Sequence, residues 1–205
     1  MSPRAYDRRL RQAAAEEAKR QIVEAAAALH AEHSGRGTSH AMIARKAGVS
    51  IPTVYKYFPT ANHLIPACTG LVAGRAPVRL DESLFKDLDG VPARVRALAA
   101  ALFRLHEYFS PWLRWSEGDA AAFPALREYF KQVRKHQVAI IRRALTPDGS
   151  KGPPEMLVRF ARVLLDFPSW RTLTEGGRSS EEAAAAAADA ILALYRTPRF
   201  TKEKS

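Results

Sequence analysis

Apolar residues in this chain recur at spacings of three and four, and nowhere do Val, Ile and Thr alternate with polar residues over the length of a strand. The pattern predicts an all-α protein. Three stripes are long enough to form one face of a helix: Ala18, Ile22, Ala25 or Ala26, and Leu29; Val95, Leu98, Leu102, Leu105, Phe109 and Trp112; and Leu126, Phe130, Val133, Ile140 or Ile141, and Leu145. A helix with one apolar face needs another element to cover it, so helices packed on helices follow. With 47% hydrophobic residues in a length of 205, there is material for one or two cores.

Helix breakers divide the chain. The first helix is expected over 12–33, stopped by Gly35 and Gly37. Short helices follow at about 39–46 and 51–57, then one that begins after Thr60, kinks at Pro66 and stops at Pro77. Residues 77–90 read as a linker. Long helices are expected from Pro92 and over about 122–145, and "TPDGSKGPP" breaks the chain before Pro154 opens another with Leu157, Phe160, Leu164 and Leu165. Pro168 kinks or ends that helix, and a last one, with Ser180 as N-cap, runs to about Arg196. The alanines from Ala183 to Ala188 favour helix and let another helix come close. With the apolar segment before them they predict a homodimer interface of Leu164, Phe167, Trp170, Ala184, Ala188, Ile191 and Tyr195.

The formal charge is +11, from 32 basic and 21 acidic residues, which favours a polyanionic partner such as nucleic acid. The excess is densest near the N-terminus, where Arg4, Arg8, Arg9 and Arg11 make a basic arm over 1–13. No run approaches the apolar length needed to span a bilayer, and no secretory signal opens the chain, so a cytoplasmic protein with no membrane partner is expected. The single cysteine, Cys68, excludes an internal disulfide and reads as apolar filler. His30 and His33 share a spacing that suits one helix face, but no third ligand accompanies them, so no metal and no cofactor are expected. No nucleophile elbow, phosphate loop or dinucleotide fingerprint is present, and the chain does not read as an enzyme.

Residues 39–58, "SHAMIARKAGVSIPTVYKYF", pose the sharpest question. Two helices of about two turns each cannot bury a core alone and must cross each other on the first helix. Ala44 allows the close contact, Gly48 suits a turn with positive φ, Val49 plugs the turn and Ser50 caps the next helix. Pro52 is tolerated in a first turn that has no internal N–H bond to lose. Ile43, Ala47, Val54 and Tyr57 or Phe58 form the inner face, which leaves Ile51, Thr53, Tyr55 and Lys56 outside. A small residue, a Gly four positions on, an aliphatic and then a cap spell a helix-turn-helix, whose second helix enters a DNA major groove about 12 Å wide.

The stretch "TSHAMIARKAGVSIPTVYKYFPTANHL", with the long helix before it, resembles the DNA-binding domain of TetR/AcrR-type transcriptional regulators over about residues 14 to 65. "LLDFPSWRTL" and the Ala-rich helix after it are similar to the dimerisation region of some members. The resemblance implies phosphate contacts by Thr38 or Ser39, Tyr55 and Tyr57, with Ser50, Ile51, Pro52, Thr53 and Lys56 at the groove. Ala61 stands where many members keep a phosphate-holding lysine; Asn62 or His63, or the N-terminal arginines, are the substitutes at hand. His40 occupies a position that is usually aliphatic.

The implied organisation is a basic arm at 1–13, a helix-turn-helix domain at 14–60, a connecting fourth helix at 61–76, an effector-binding and dimerisation domain at 77–200 and a tail at 201–205. The implied function is a ligand-responsive repressor that binds palindromic double-stranded operator DNA as a homodimer and senses a small-molecule effector. Phe103, His106, Phe109, Trp112, Trp115 and Phe130 are the candidate effector residues, though an aromatic stripe of this kind also simply packs a core. The alternative is a ligand-independent, nucleoid-type DNA-binding protein whose C-terminal domain is purely structural.

Overall fold

The computed structural model describes residues 3–150 and 152–197, with side chains from Tyr6 onward. Every described element is helical, ten α-helices and one 3₁₀ turn. They fall into two compact units, one made by the chain up to Arg75 together with Arg114–Phe130, the other by Ala76–Leu113 and the chain from Lys131.

In the first unit, α1 (Pro3–His33) presents Ile22, Ala25, Ala26 and Leu29 to three shorter helices, α2 (His40–Ala47), α3 (Ile51–Tyr57) and α4 (Ala61–Gly74). Ile43 and Ala44 of α2, Val54 and Phe58 of α3 and its end, and Leu64 and Cys68 of α4 complete the cluster. Each large aliphatic side chain removed from water here contributes roughly 1.5–3 kcal/mol, which offsets the poor intrinsic stability of two-turn helices. Cys68 fills space as expected, its thiol pushed up to about 12 by burial. Between Tyr57 and Phe58, Phe58 is the inward residue and Tyr57 stays half-buried.

Several boundaries differ from the sequence expectations. α1 begins at Pro3, not near residue 12, because proline suits a first turn and the Arg- and Ala-rich segment behind it holds no breaker. The basic arm is therefore helical, with residues 6–14 exposed; the tail expected at 201–205 lies outside the described residues. α4 contains Pro66, as expected, but ends at Gly74 and does not reach Pro77. A helix absent from the sequence reading, α6 (Ser116–Ala122), joins the first unit, so the expected domain of 77–200 is interrupted at Arg114–Phe130.

The second unit is organised around the pairing of α5 (Gly90–Leu113) with α10 (Ser180–Arg196). α7 (Pro124–Leu145) supplies Ile140, Ile141, Ala144 and Leu145 to its core, and α8 (Glu155–Leu164) supplies Leu157, Val158 and Ala161. The expected linker at 77–90 instead carries the 3₁₀ turn Glu82–Phe85, capped by Asp81, with Phe85 buried in the same core. Pro168 neither kinks nor ends a helix: it sits in the first turn of α9 (Phe167–Thr174), where its missing N–H costs nothing. Ser179, not Ser180, caps α10. The spacing Ser179 to Glu182 is a capping box, with Glu182 N–H donating to Ser179 Oγ at 3.2 Å and Ser179 N–H to Glu182 Oε2 at 3.0 Å. Ser180 is buried and accepts a bond from Trp170 Nε1 at 3.1 Å. Among the described residues no helix is long and apolar enough to cross a membrane.

Candidate nucleic-acid interface

The α2–α3 corner is fixed by short-range contacts. Ser39 Oγ accepts from Met42 N–H at 3.2 Å and starts α2. Gly48 ends it with φ +67°, where a side chain would be strained, and the N–H groups of Gly48 and Val49 return to the carbonyls of Arg45 and Ala44. Ser50 Oγ then accepts from Thr53 N–H at 3.3 Å and lies 2.7 Å from Thr53 Oγ1. Of those two hydroxyls one donates to the other, so one hydroxyl proton remains to turn outward. Val54 is fully buried, which rotates Ile51 and Tyr55 outward to 45% and 51% exposure.

The remaining expected contact residues sit on this same unit. Pro52 and Lys56 are exposed and Thr53 is half-buried. Tyr57 has Lys56 Nζ 5.2 Å from its ring centroid and Lys19 Nζ of α1 at 5.5 Å, so the phenol is flanked by two ammonium groups. Thr38 is half-buried and donates its hydroxyl to Ser34 O at 2.7 Å, while Ser39 is exposed. Thr60, expected as a side-chain cap, makes no capping bond; its Oγ1 lies 2.7 Å from Nδ1 of His63, which is exposed at the start of α4 beside Ala61.

Three features were not legible beforehand. Lys19 reaches Tyr57 from a helix far upstream in sequence. His40 stacks on Tyr55 with ring centroids 4.5 Å apart and 7° between planes, and its Nε2 lies 2.9 Å from the Phe58 carbonyl. The third is a clamp on the loop that launches α2. Asp119 of α6, 8% exposed, accepts from Gly35 N–H at 2.7 Å and Arg36 N–H at 3.1 Å. A Cβ on Gly35 would stand 3.0 Å from the Phe123 ring and 3.2 Å from Asp119 Oδ2, so the close approach depends on glycine. Arg114 and Trp115 donate to Ala31 O at 2.6 and 3.2 Å. Nearby His30 is held below the usual imidazole range by burial, with Asp119 opposing.

Two expected sets fall differently: one is spread over both units, and the other requires correction. The effector candidates are divided between the two units. Trp115 and Phe130 belong to the first unit, where Trp115 holds the end of α1 and carries the Arg114 guanidinium 4.9 Å from its ring centroid. Phe103, His106, Phe109 and Trp112 belong to the second. Phe103 is fully buried and His106 is 5% exposed, with Nε2 2.9 Å from Leu165 O and burial depressing its pKa. A neutral imidazole donating to a carbonyl among Phe103, Phe167 and Trp170 serves the core. Phe109 and Trp112 stay half-buried.

The expected dimer residues Ala184, Ala188 and Ile191 are 3%, 0% and 1% exposed inside their own unit. The close approach that alanine permits is taken up by α5 of the same chain. Leu164, Trp170 and Tyr195 pack partly against that core, and Phe167 stacks on Trp170 at 5.3 Å.

Residues 22–68 match the family described as bacterial regulatory proteins, tetR family. Among curated proteins no sequence matches this chain. The fold is shared with a protein of Pseudomonas aeruginosa PAO1 described as a transcriptional regulator, with a TM-score of 0.71, 19% identity, and 89% and 93% of the two chains covered. A TetR-family regulator from Mesorhizobium loti MAFF303099 gives 0.59 at 22% identity, covering 88% and 97%. The regulator FadR of Bacillus subtilis, solved with stearoyl-CoA, gives 0.59 at 18% identity, covering 83% and 96%. A capped helix pair with its second helix turned outward lies inside the segment that matches the tetR family of bacterial regulatory proteins.

Proposed function

We propose that the chain is a ligand-responsive repressor that binds a roughly palindromic operator as a homodimer. The observation that carries the reading is the outer face of α3, where Ile51 and Tyr55 lie open to solvent beside Pro52, Lys56 and the Ser50–Thr53 hydroxyl pair. Apolar, aromatic, cationic and hydroxyl groups on one short helix suit a base edge and the two flanking phosphate strands. Tyr57 with its two lysines, and His63 in the place of the missing lysine, extend the phosphate contacts along the unit.

For the dimer we favour the outer face of α8 over the alanine stripe. Among the described residues, three of the eight exposed large hydrophobic ones, Met156, Phe160 and Val163, lie on this one helix at helical spacing. A two-fold dimer would set its recognition helices about 34–36 Å apart, one turn of DNA. A small-molecule effector is assigned to the second unit, in keeping with the stearoyl-CoA held by FadR, with the half-buried Phe109 and Trp112 as candidates. Its site is read as binding and not catalytic, and operator binding would take place in the bacterial cytoplasm.

The test is selection of duplexes from a random-sequence pool by the purified chain, followed by titration. An inverted repeat with half-sites one helical turn apart is expected, and recovery of unrelated sequences would favour the nucleoid-type alternative. On the selected duplex Lys56→Ala should lose about 1–3 kcal/mol if the lysine reads a base, or flatten the salt dependence by about one if it meets phosphate. If neither change is seen, Lys56 is excluded from the interface.

A further inference from the structure

His40 begins α2, yet its side chain reaches past the turn to the far end of α3. Its imidazole lies flat against Tyr55, 4.5 Å between centroids at 7°, and its Nε2 meets the Phe58 carbonyl at 2.9 Å. That carbonyl belongs to the C-cap of α3, in the last turn, where acceptors have no partner inside the helix. Since a carbonyl only accepts, Nε2 carries the hydrogen, and this bond holds the ring plane in which the phenol is stacked. One face of Tyr55 is thus covered by His40, while the side chain as a whole remains 51% exposed. A phenol on an exposed seven-residue helix would otherwise sample several rotamers. The Ser39 cap and the Gly48 turn fix the backbone of the corner.

We propose that His40 is a positioning residue for DNA binding: its stacked imidazole holds the Tyr55 phenol in the orientation that meets the DNA backbone. The proposal rests on the reading that Tyr55 contacts DNA. His40 acts through Tyr55, so its contribution to affinity exists only while the tyrosine is present. An aliphatic side chain at the same position could fill space, but it would offer neither the flat face nor the bond to Phe58.

A double-mutant cycle on a duplex selected by the wild-type chain tests this. His40→Ala should weaken binding about tenfold, the range of an aromatic pair plus a lost bond, and by less than about twofold when introduced into Tyr55→Ala. His40→Gln keeps a donor for the Phe58 carbonyl and so guards the helix pair, and it should lose nearly as much affinity as His40→Ala because it lacks the ring. Thermal unfolding of each variant shows that the helix pair is intact. An equal loss with and without Tyr55, or wild-type affinity in His40→Gln, overturns the proposal while leaving the DNA-binding reading in place. A wild-type chain that retains no duplex overturns that reading, and the proposal with it.

Discussion

The two units put their rings to opposite use. In the first, Tyr55 is carried outward on a helix of seven residues, with Tyr57 half-buried beside it. In the second, Phe103 is sealed in the core and His106 sits among Phe103, Phe167 and Trp170. The contrast follows from what fixes each helix. α2 and α3 are set by caps and a turn within a few residues, so their outer side chains are free to serve a partner. α5 and α10 are set by each other across a long stretch of chain, and almost every large side chain between them is consumed by packing. Outward apolar residues in a helical protein are therefore most informative where the backbone beneath them is fixed locally.

The strongest way to break this comparison is Phe103→Ala. A fully buried phenylalanine truncated to alanine should cost about 3–5 kcal/mol, read as a fall in midpoint in chemical denaturation. A loss near that of an exposed ring such as Tyr55→Ala would erase the distinction. Asp119→Ala comes next, because two amides of the loop before α2 lose their acceptor; about 1–3 kcal/mol is expected, together with faster hydrogen exchange at Gly35 and Arg36.

Acidification sharpens the comparison, since each unit holds one histidine depressed by burial, His30 in the first and His106 in the second. The unfolded chain binds these protons at a higher pH than the folded one. Stability is therefore complete above the ordinary imidazole value near 6.5 and declines as pH falls from there toward the folded values, by at most about 1.4 kcal/mol per pH unit for each histidine. Denaturation midpoints between pH 7.5 and 5 should show the slope, and His106→Gln should remove one part of it. The smallest effect is Ser50→Ala, about 1 kcal/mol from the lost cap of α3, with a larger loss in duplex affinity than in stability if the hydroxyl also meets phosphate.

The helix-turn-helix was legible because each of its determinants is local: Ser39, Ala44, Gly48, Val49 and Ser50 act on neighbours within a few positions. The alanine run announced close helix packing correctly, but composition says nothing about which helix approaches, and the partner is α5 of the same chain. Ser180 was read as the cap one position late, although Glu182 three residues after Ser179 marked the box. α6 escaped because "SEGDAAA" has no apolar period, and the partners of Asp119 lie more than eighty residues upstream, where no pattern could announce them. His40 stood out as an unusual residue, but its use depends on a carbonyl and a ring on the next helix.

Because Asp119 belongs to the far side of a long intervening segment, the helix-turn-helix unit of this protein is not a contiguous cassette. On the ribosome the first 75 residues emerge with the amides of Gly35 and Arg36 still bare, and they remain so until the stretch bearing Asp119 has followed. A fragment cut after Arg75, or a graft of that fragment onto a foreign partner, would carry the reading head without its latch.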